Sequence, residues 1–367
     1  MQLSSTLQTM LVSSLLLMSL AGCSDDDDTN PLEVNAETEN TDAGAESQTS
    51  DDGSDEETSD EETSDEEESS DEDNEAIEPI GGDEDDGGDD GDGGSSEPSE
   101  PADTTGALLK DITFADAAIK TCIEESIAPE NLDTITVTEI TIIACDDPAI
   151  TQFEEVELFT NIETLWLVNT KVPSLTLDNH PKLRRLNIFT DADQGTGELS
   201  ELDLSGTPAL EITNLFRNKL TEIDFTANPA LQYAHVALNQ LTDIDLSQNG
   251  NLLQFTGFDN AFSRLDLSEL TELINLEISN NNLTAVDLSL NTKLRRLEIA
   301  NNDLIQLDLS NNPEIERITA SDNPIVDIVF PLNRDELIAV AIENADLSDD
   351  SIALLDELAA DGVAVAR

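Results

Sequence analysis

Apolar positions fall in a fixed pattern from Ile162 onward. Leu210, Leu231, Leu252, Leu273, Leu294 and Ile315 stand 21 residues apart, each opening a unit of the form L-x-x-L-x-L-x-x-N-x-L-x-x-L-D-L-S-x-N-x-x. The clearest unit is LRRLEIANNDLIQLDLSNNPE, residues 294–314, and the unit at 183–209 is six residues longer than the period. The apolar residues return by position in the unit rather than at helical spacing, so an amphipathic helix is not predicted. The first six positions alternate as a strand does, and a single unit buries its apolar edge only by stacking on its neighbours. The stacked strands predict a parallel sheet with rungs about 4.8 Å apart.

The polar positions repeat too. Asn fills the ninth slot of the unit at 218, 239, 260, 281, 302 and 323, and the nineteenth at 228, 249, 291, 312 and 333. A small amide both donates and accepts, so stacked Asn side chains can satisfy turn backbone that would otherwise be buried unpaired. A structural role is expected for them. Asp recurs at 203, 224, 245, 266, 287 and 308, between apolar slots, and should face solvent on the far side from the first strand. Like charges stacked at strand spacing repel by roughly 1 kcal/mol in a water-like dielectric, a cost that cations would relieve.

This pattern resembles bacterial leucine-rich repeat proteins, and specifically their 21-residue irregular class. About eight units cover 162–335. The resemblance implies a β-rich solenoid with few helices and a concave parallel sheet, used for binding rather than catalysis. Slots three, five and seven of each unit should line the concave side. Trp166, Phe189, Phe216, Tyr233, His235 and Phe258 fall on them, all in the first half of the sheet. Clustered exposed aromatics mark binding surfaces, which makes these six the candidate ligand contacts; packing of the slot-seven Phe into the core is the alternative. The segment TDADQGTGELS (190–200) supplies the extra residues of the long unit and should emerge as a loop beside Phe189. Its Asp191, Asp193 and Glu198 resemble part of a calcium loop, an incomplete pattern that leaves weak calcium binding and an ordinary polar loop both open.

The flanks read as caps. In 107–161, ITFADAAIKTCIEESI predicts a helix and ITVTEITIIAC a strand; in 336–367 a helix should start near Ser348 and end at Gly362, with Val363 and Val365 in a last strand. Residues 11–20, LVSSLLLMSL, are too short to span a bilayer and suit the apolar core of a secretory signal. Leu20-Ala21-Gly22-Cys23 resembles the lipobox of bacterial lipoproteins, which implies cleavage after residue 22 and lipid on Cys23; an ordinary signal with an incidental Cys is the alternative. Ser24 does not resemble an inner-membrane retention signal, so an outer-membrane lipoprotein, with palmitate among its lipids, is the expected location. The two other cysteines, Cys122 and Cys145, read as a disulfide in an exported protein, two buried thiols being the other reading.

Composition adds one asymmetry. The chain carries 82 acidic and 15 basic residues, a net charge of −67, and all 15 bases lie from Lys110 onward, whereas 36 acids precede them. This excludes a nucleic-acid binder that works by phosphate neutralisation. Residues 23–106 contain almost no large apolar side chains and should form a disordered acidic tether, of about 280 Å when fully stretched. With two His and none of the familiar nucleophile, zinc-protease or phosphate-loop motifs, no enzyme and no cofactor are expected. A monomeric envelope protein that binds a protein or glycan on its concave face is the first expectation. The second is a structural envelope protein with a cation-responsive tether. An anionic partner would have to be met near Arg185 rather than on the bulk surface. Labelling with palmitate should mark the natural chain and not a Cys23→Ala variant; equal labelling would remove the lipid anchor.

Overall fold

The computed structural model describes residues 106–367; the signal segment, Cys23 and the acidic tether lie outside the described residues. The core is an eleven-stranded parallel sheet. Its strands are β1 (Ile142–Asp146), β2 (Thr164–Val168), β4 (Arg185–Asn187), β6 (Ile212–Asn214), β7 (Tyr233–His235), β8 (Gln254–Thr256), β9 (Asn275–Glu277), β10 (Arg296–Glu298), β12 (Arg317–Thr319), β14 (Ala339–Ala341) and β15 (Ala364–Ala366). Two short parallel pairs lie outside this sheet, β3 (Ser174–Thr176) with β5 (Glu201–Asp203) and β11 (Gln306–Asp308) with β13 (Asp327–Val329). Register follows the sequence period, with Tyr233 beside Gln254 and Asn275 beside Arg296.

The strands are short because the unit supplies only one inward side chain between two outward ones before the chain turns. Leu297 at the fourth slot is fully buried, flanked by half-buried Arg296 and Glu298. Leu294, Ile299, Leu304 and Leu309 of the same unit are also at 0% exposure and stack on their counterparts in adjacent rungs. Burying each such side chain stabilises by roughly 1.5–3 kcal/mol before chain entropy is subtracted. In one rung the sixth slot is Gly257, and Phe255 and Phe262, ring centroids 6.3 Å apart, fill the space. A Cβ at Gly257 would meet the Phe255 ring at 3.0 Å, so the missing side chain is what admits the ring pair.

Asn at the ninth slot closes each turn. The Nδ2 of Asn302 donates to the carbonyls of Ile299 and Ala300 in its own rung and of Ile278 in the rung before. Its Oδ1 accepts from the backbone N–H of Leu283, again in the rung before, at 3.0 Å. Asn239, Asn281 and Asn323 repeat this arrangement. The nineteenth slot does less. Asn291 donates to Leu267 and Leu270 carbonyls, and its Oδ1 is buried without a partner, as in Asn228, Asn249 and Asn312. Leu270 occupies that slot in one rung and is fully buried. Asn333, expected to continue this series, is exposed instead, because the last unit is one residue longer and Arg317 pairs with Ala339.

The Asp column makes turns. Each Asp Oδ1 accepts from the backbone N–H two residues on, as Asp245 does from Ser247 at 2.9 Å and Asp308 from Ser310 at 2.9 Å. The Ser hydroxyls and these amides hold Asp203, Asp245, Asp266 and Asp287 below the usual carboxylate range, against a small opposing push from the next Asp in the column at Asp245 and Asp266.

At the N-terminal end α1 (Ala117–Glu125) starts at Asp116, whose carboxylate accepts from Ala118 N–H and also from the N–H and hydroxyl of Thr151. Cys122 on α1 and Cys145 on β1 are joined by a disulfide, Cα atoms 5.8 Å apart. Only the last part of 135–145 is strand. Val137–Glu139 is a 3-10 helix, because Thr136 and Glu139 form a reciprocal capping box that draws the backbone into a turn. At the other end α2 (Asp349–Ala360) is capped by the Ser348 hydroxyl and followed by Gly362 at φ +100° and β15. The two caps thus extend the sheet by one strand before the repeats and two after.

The two Asn positions should differ in cost. Asn302→Leu strips four hydrogen bonds from two rungs and should destabilise by about 2–4 kcal/mol; Asn291→Leu, which recreates what Leu270 already does, should cost about 1 kcal/mol or less. Urea midpoints at unchanged slope check this, and equal losses would refute it.

Candidate functional site

The concave face is built from slots three and five of each strand and from slot seven as the chain leaves it. Slots four and six point into the core, so most outward side chains are exposed or half-buried, with Trp166, Val168, Ala237 and Thr256 the buried exceptions between β2 and β8. The structure brings three of the six candidate aromatics together. Phe216 leaves β6, His235 sits on β7, and Phe258 leaves β8, with buried Ala237 at the seventh slot between the two Phe. Ring centroids are 5.0 Å apart for Phe216 and His235, 6.0 Å for His235 and Phe258, and 6.3 Å for Phe216 and Phe258. The Arg217 guanidinium lies 5.9 Å from the Phe216 ring centre. Phe216 and Phe258 are half-buried, which places them between the two readings weighed from sequence: they pack on each other and still present surface.

His235 is held between the rings. Burial pushes its pKa down to about 4, and its Nε2 is buried without a partner. The imidazole is therefore neutral at ordinary pH. Tyr233 on β7 and Phe189 beyond β4 are half-buried and stand apart from the cluster.

Trp166 corrects the sequence reading. It is only 6% exposed, so the indole is not a surface contact although its slot faces the concave side. Slot number gives the direction of a side chain but not its depth. Its Nε1 is buried and unpaired.

The loop acids are sent to separate partners. Asp191 accepts from Asn169 at 2.9 Å, Asp193 from Gln194 at 3.2 Å, and Glu198 pairs with Lys219 at 2.5 Å. Among the described residues no group of three His, Cys, Asp or Glu converges for a metal ion. The calcium expectation for this loop therefore has no geometric support: its short 3-10 helix, Ala192–Gln194, spreads the carboxylates.

Beyond β8 the face changes character. Glu277 accepts from Thr256 Oγ1 at 3.3 Å and from Gln254 Nε2 at 3.4 Å. Burial and the neighbouring Glu298 push its carboxyl up, opposed by the Thr256 hydroxyl and Arg296. Sequence reasoning missed two features. A depression by the N-terminal cap is lined by Asn131, Thr134, Glu139, Asn161, Glu163 and Lys182; it draws on three separate segments, so no local motif announces it. The eighth slot is a column of left-handed residues, with φ between 51° and 58° at 169, 217, 238, 259, 280, 301, 322 and 344. Asn or Asp fills six of them, as that backbone favours; Arg217 and Leu238, beside the aromatic cluster, are the exceptions.

Comparison with known proteins bears on the fold. No protein-family model matches the chain, and neither does any curated protein. Among solved structures it is similar to a leucine-rich repeat protein of Leptospira interrogans, at 18% identity and a TM-score of 0.51, over 59% of this chain and 58% of that one. The fold is a leucine-rich repeat solenoid. The functional domain of InlJ from Listeria monocytogenes matches at 25% identity over 58% and 50% of the two chains, TM-score 0.46. YopM from Yersinia enterocolitica matches at 21% identity over 63% and 51%, TM-score 0.49. The chain spans about half the length of these structures.

The trapped imidazole of this solenoid gives a pH signature. With a folded pKa of about 4 against about 6.5 unfolded, the unfolded chain takes the proton first. Stability tied to His235 is full above about pH 6.5 and is lost as pH falls toward 4. The His235 ring C–H resonance should titrate with a midpoint near pH 4; a midpoint near 6.5 would refute the burial.

Proposed function

We propose that this leucine-rich repeat solenoid is a binding protein that captures a protein or glycan partner on the N-terminal half of its concave sheet. The observation that carries the reading is the Phe216–His235–Phe258 cluster with Arg217 beside it, half-exposed on the concave face. Aromatic and Arg side chains in a partly dry patch are the residue types that dominate interface energies. Tyr233 and Phe189 extend the patch along the sheet. Trp166, 6% exposed, is not a contact residue in this reading.

The placement of the domain is part of the proposal. The lipobox-like Leu20-Ala21-Gly22-Cys23 supports a lipid anchor in the outer membrane of a bacterial envelope, and the acid-rich segment that follows supports a tether that holds the solenoid away from it. The repeat pattern itself supports membership of the 21-residue class.

The full chain carrying Phe216→Ala and Phe258→Ala should lose partner capture by about tenfold or more, while Ile305→Ala, an exposed residue away from the concave sheet, should leave it unchanged. Quantitative pull-down from envelope extract, with circular dichroism to confirm folding, reads the outcome. Undiminished capture by the double variant would overturn the concave-face reading.

A further inference from the structure

We infer that the aromatic half of the concave sheet takes a protein segment that presents a carboxylate beside an apolar side chain. Arg185 and Arg217 meet the carboxylate, and Phe216 and Phe258 receive the apolar group. This rests on the binding role proposed above and names the chemistry of the partner.

Charge is the first argument. The chain is acid-rich throughout, yet slots three, five and seven of the five rungs from β2 to β8 hold no Asp or Glu. On a surface that otherwise repels anions, this is a window that does not. The second argument is the pattern of ion pairing. Lys110, Lys120, Arg184, Lys219, Arg264, Lys293, Arg295, Arg334 and Arg367 all stand in ion pairs. Arg185 and Arg217 stand in none, and neither do Lys171, Lys182, Arg296 and Arg317, although Arg184 next to one and Lys219 near the other do. Arg185 and Arg217 are half-buried beside the acid-free slots, whereas Arg296, also half-buried and outside any ion pair, acts on Glu277 of the adjacent rung.

The third argument is hydrogen bonding. Arg185 Nε and Arg217 Nη1 are buried with no acceptor, and both can only donate. A buried donor left unpaired costs about 1–3 kcal/mol, more when charged, and an incoming carboxylate removes that cost with charge-assisted bonds. Arg217 also holds left-handed backbone that Asn or Asp fills at six of the eight such rungs, Leu238 being the other exception.

Ring geometry decides between a peptide and an acidic saccharide. Sugars stack on a flat, open ring face. Here the rings are inclined to one another by 45°, 46° and 61° and cover each other, and the indole is buried. Such a ridged patch suits branched or aromatic side chains of a polypeptide. Arg185 on β4 lies one to three rungs from the cluster, roughly 5–15 Å, a span that a few residues of extended chain cover.

The test is selection of a displayed random peptide library on the full chain, on an Arg185→Gln/Arg217→Gln variant and on the Phe216→Ala/Phe258→Ala variant. Selected sequences should be enriched in Asp or Glu beside Leu, Ile, Val or Phe. The best of them should bind the arginine variant about tenfold more weakly, and its Asn/Gln analogue should bind the natural chain about tenfold more weakly. Both arginines are half-exposed and hold no ion pair, so circular dichroism should not change and the urea midpoint should not fall. Acid-free selected sequences, or acid enrichment undiminished on the arginine variant, would overturn the inference; if those sequences still fail on the phenylalanine variant, the concave-face reading survives alone. No enriched peptide, with polygalacturonate retained by the natural chain and not by the arginine variant, would overturn it in favour of an acidic glycan.

Discussion

Everything in this solenoid depends on pairing the backbone of its turns. A rung of about 21 residues turns so tightly that the amides and carbonyls after each strand face inward, where water cannot reach them, and an unpaired buried group costs as much as several good contacts contribute. The ninth-slot Asn resolves this with one side chain that donates three times and accepts once, as Asn302 does across two rungs. Leu side chains can stack beneath only because the turns above them are satisfied. The Asp column performs a lesser version of the same task on the other face, through single bonds such as Asp245 to Ser247.

Because the ladder fixes the backbone, most outward slots of the strands are left to chemistry other than the repeat's own. That division explains why one sheet carries two chemistries: rings, arginines and amides from β2 to β8, then a mixed charged stretch around Glu277, Arg296 and Glu298. The left-handed eighth slot shows where the two demands collide. Asn169, Asn280 and Asn301 suit their backbone, whereas Arg217 and Leu238 do not, and these lie where the rings gather.

What the sequence disclosed follows from what repeats. The strand positions, the register, the inward Leu and the Asn ladder are each written many times and are legible as a period. The helix at Asp349–Ala360 is legible from the Ser348 cap and Gly362. What occurs once is harder to read. Residues 137–139 look like strand by composition but turn into a 3-10 helix through a capping box with Thr136. Asn333 matches the slot yet leaves the ladder, because one inserted residue shifts the last rung. Trp166 shows that a slot predicts the direction of a side chain and not its depth, and the meeting of Phe216, His235 and Phe258 depends on the small Ala237 between them, which no period announces.

The ninth-slot bonds also run one way. Asn239 supplies Leu215 and Leu220 of the rung before it, Asn281 supplies Gly257 and Phe262, and Asn323 supplies Ile299 and Leu304. Each turn is therefore finished by residues some 19 to 24 positions further along the chain. A nascent polypeptide leaving the ribosome N-terminus first always carries one incomplete rung at its growing end, while the turns behind it have their Asn partners. Assembly of this molecule has a built-in direction, with the N-terminal cap as its template and the C-terminal helix as its lock.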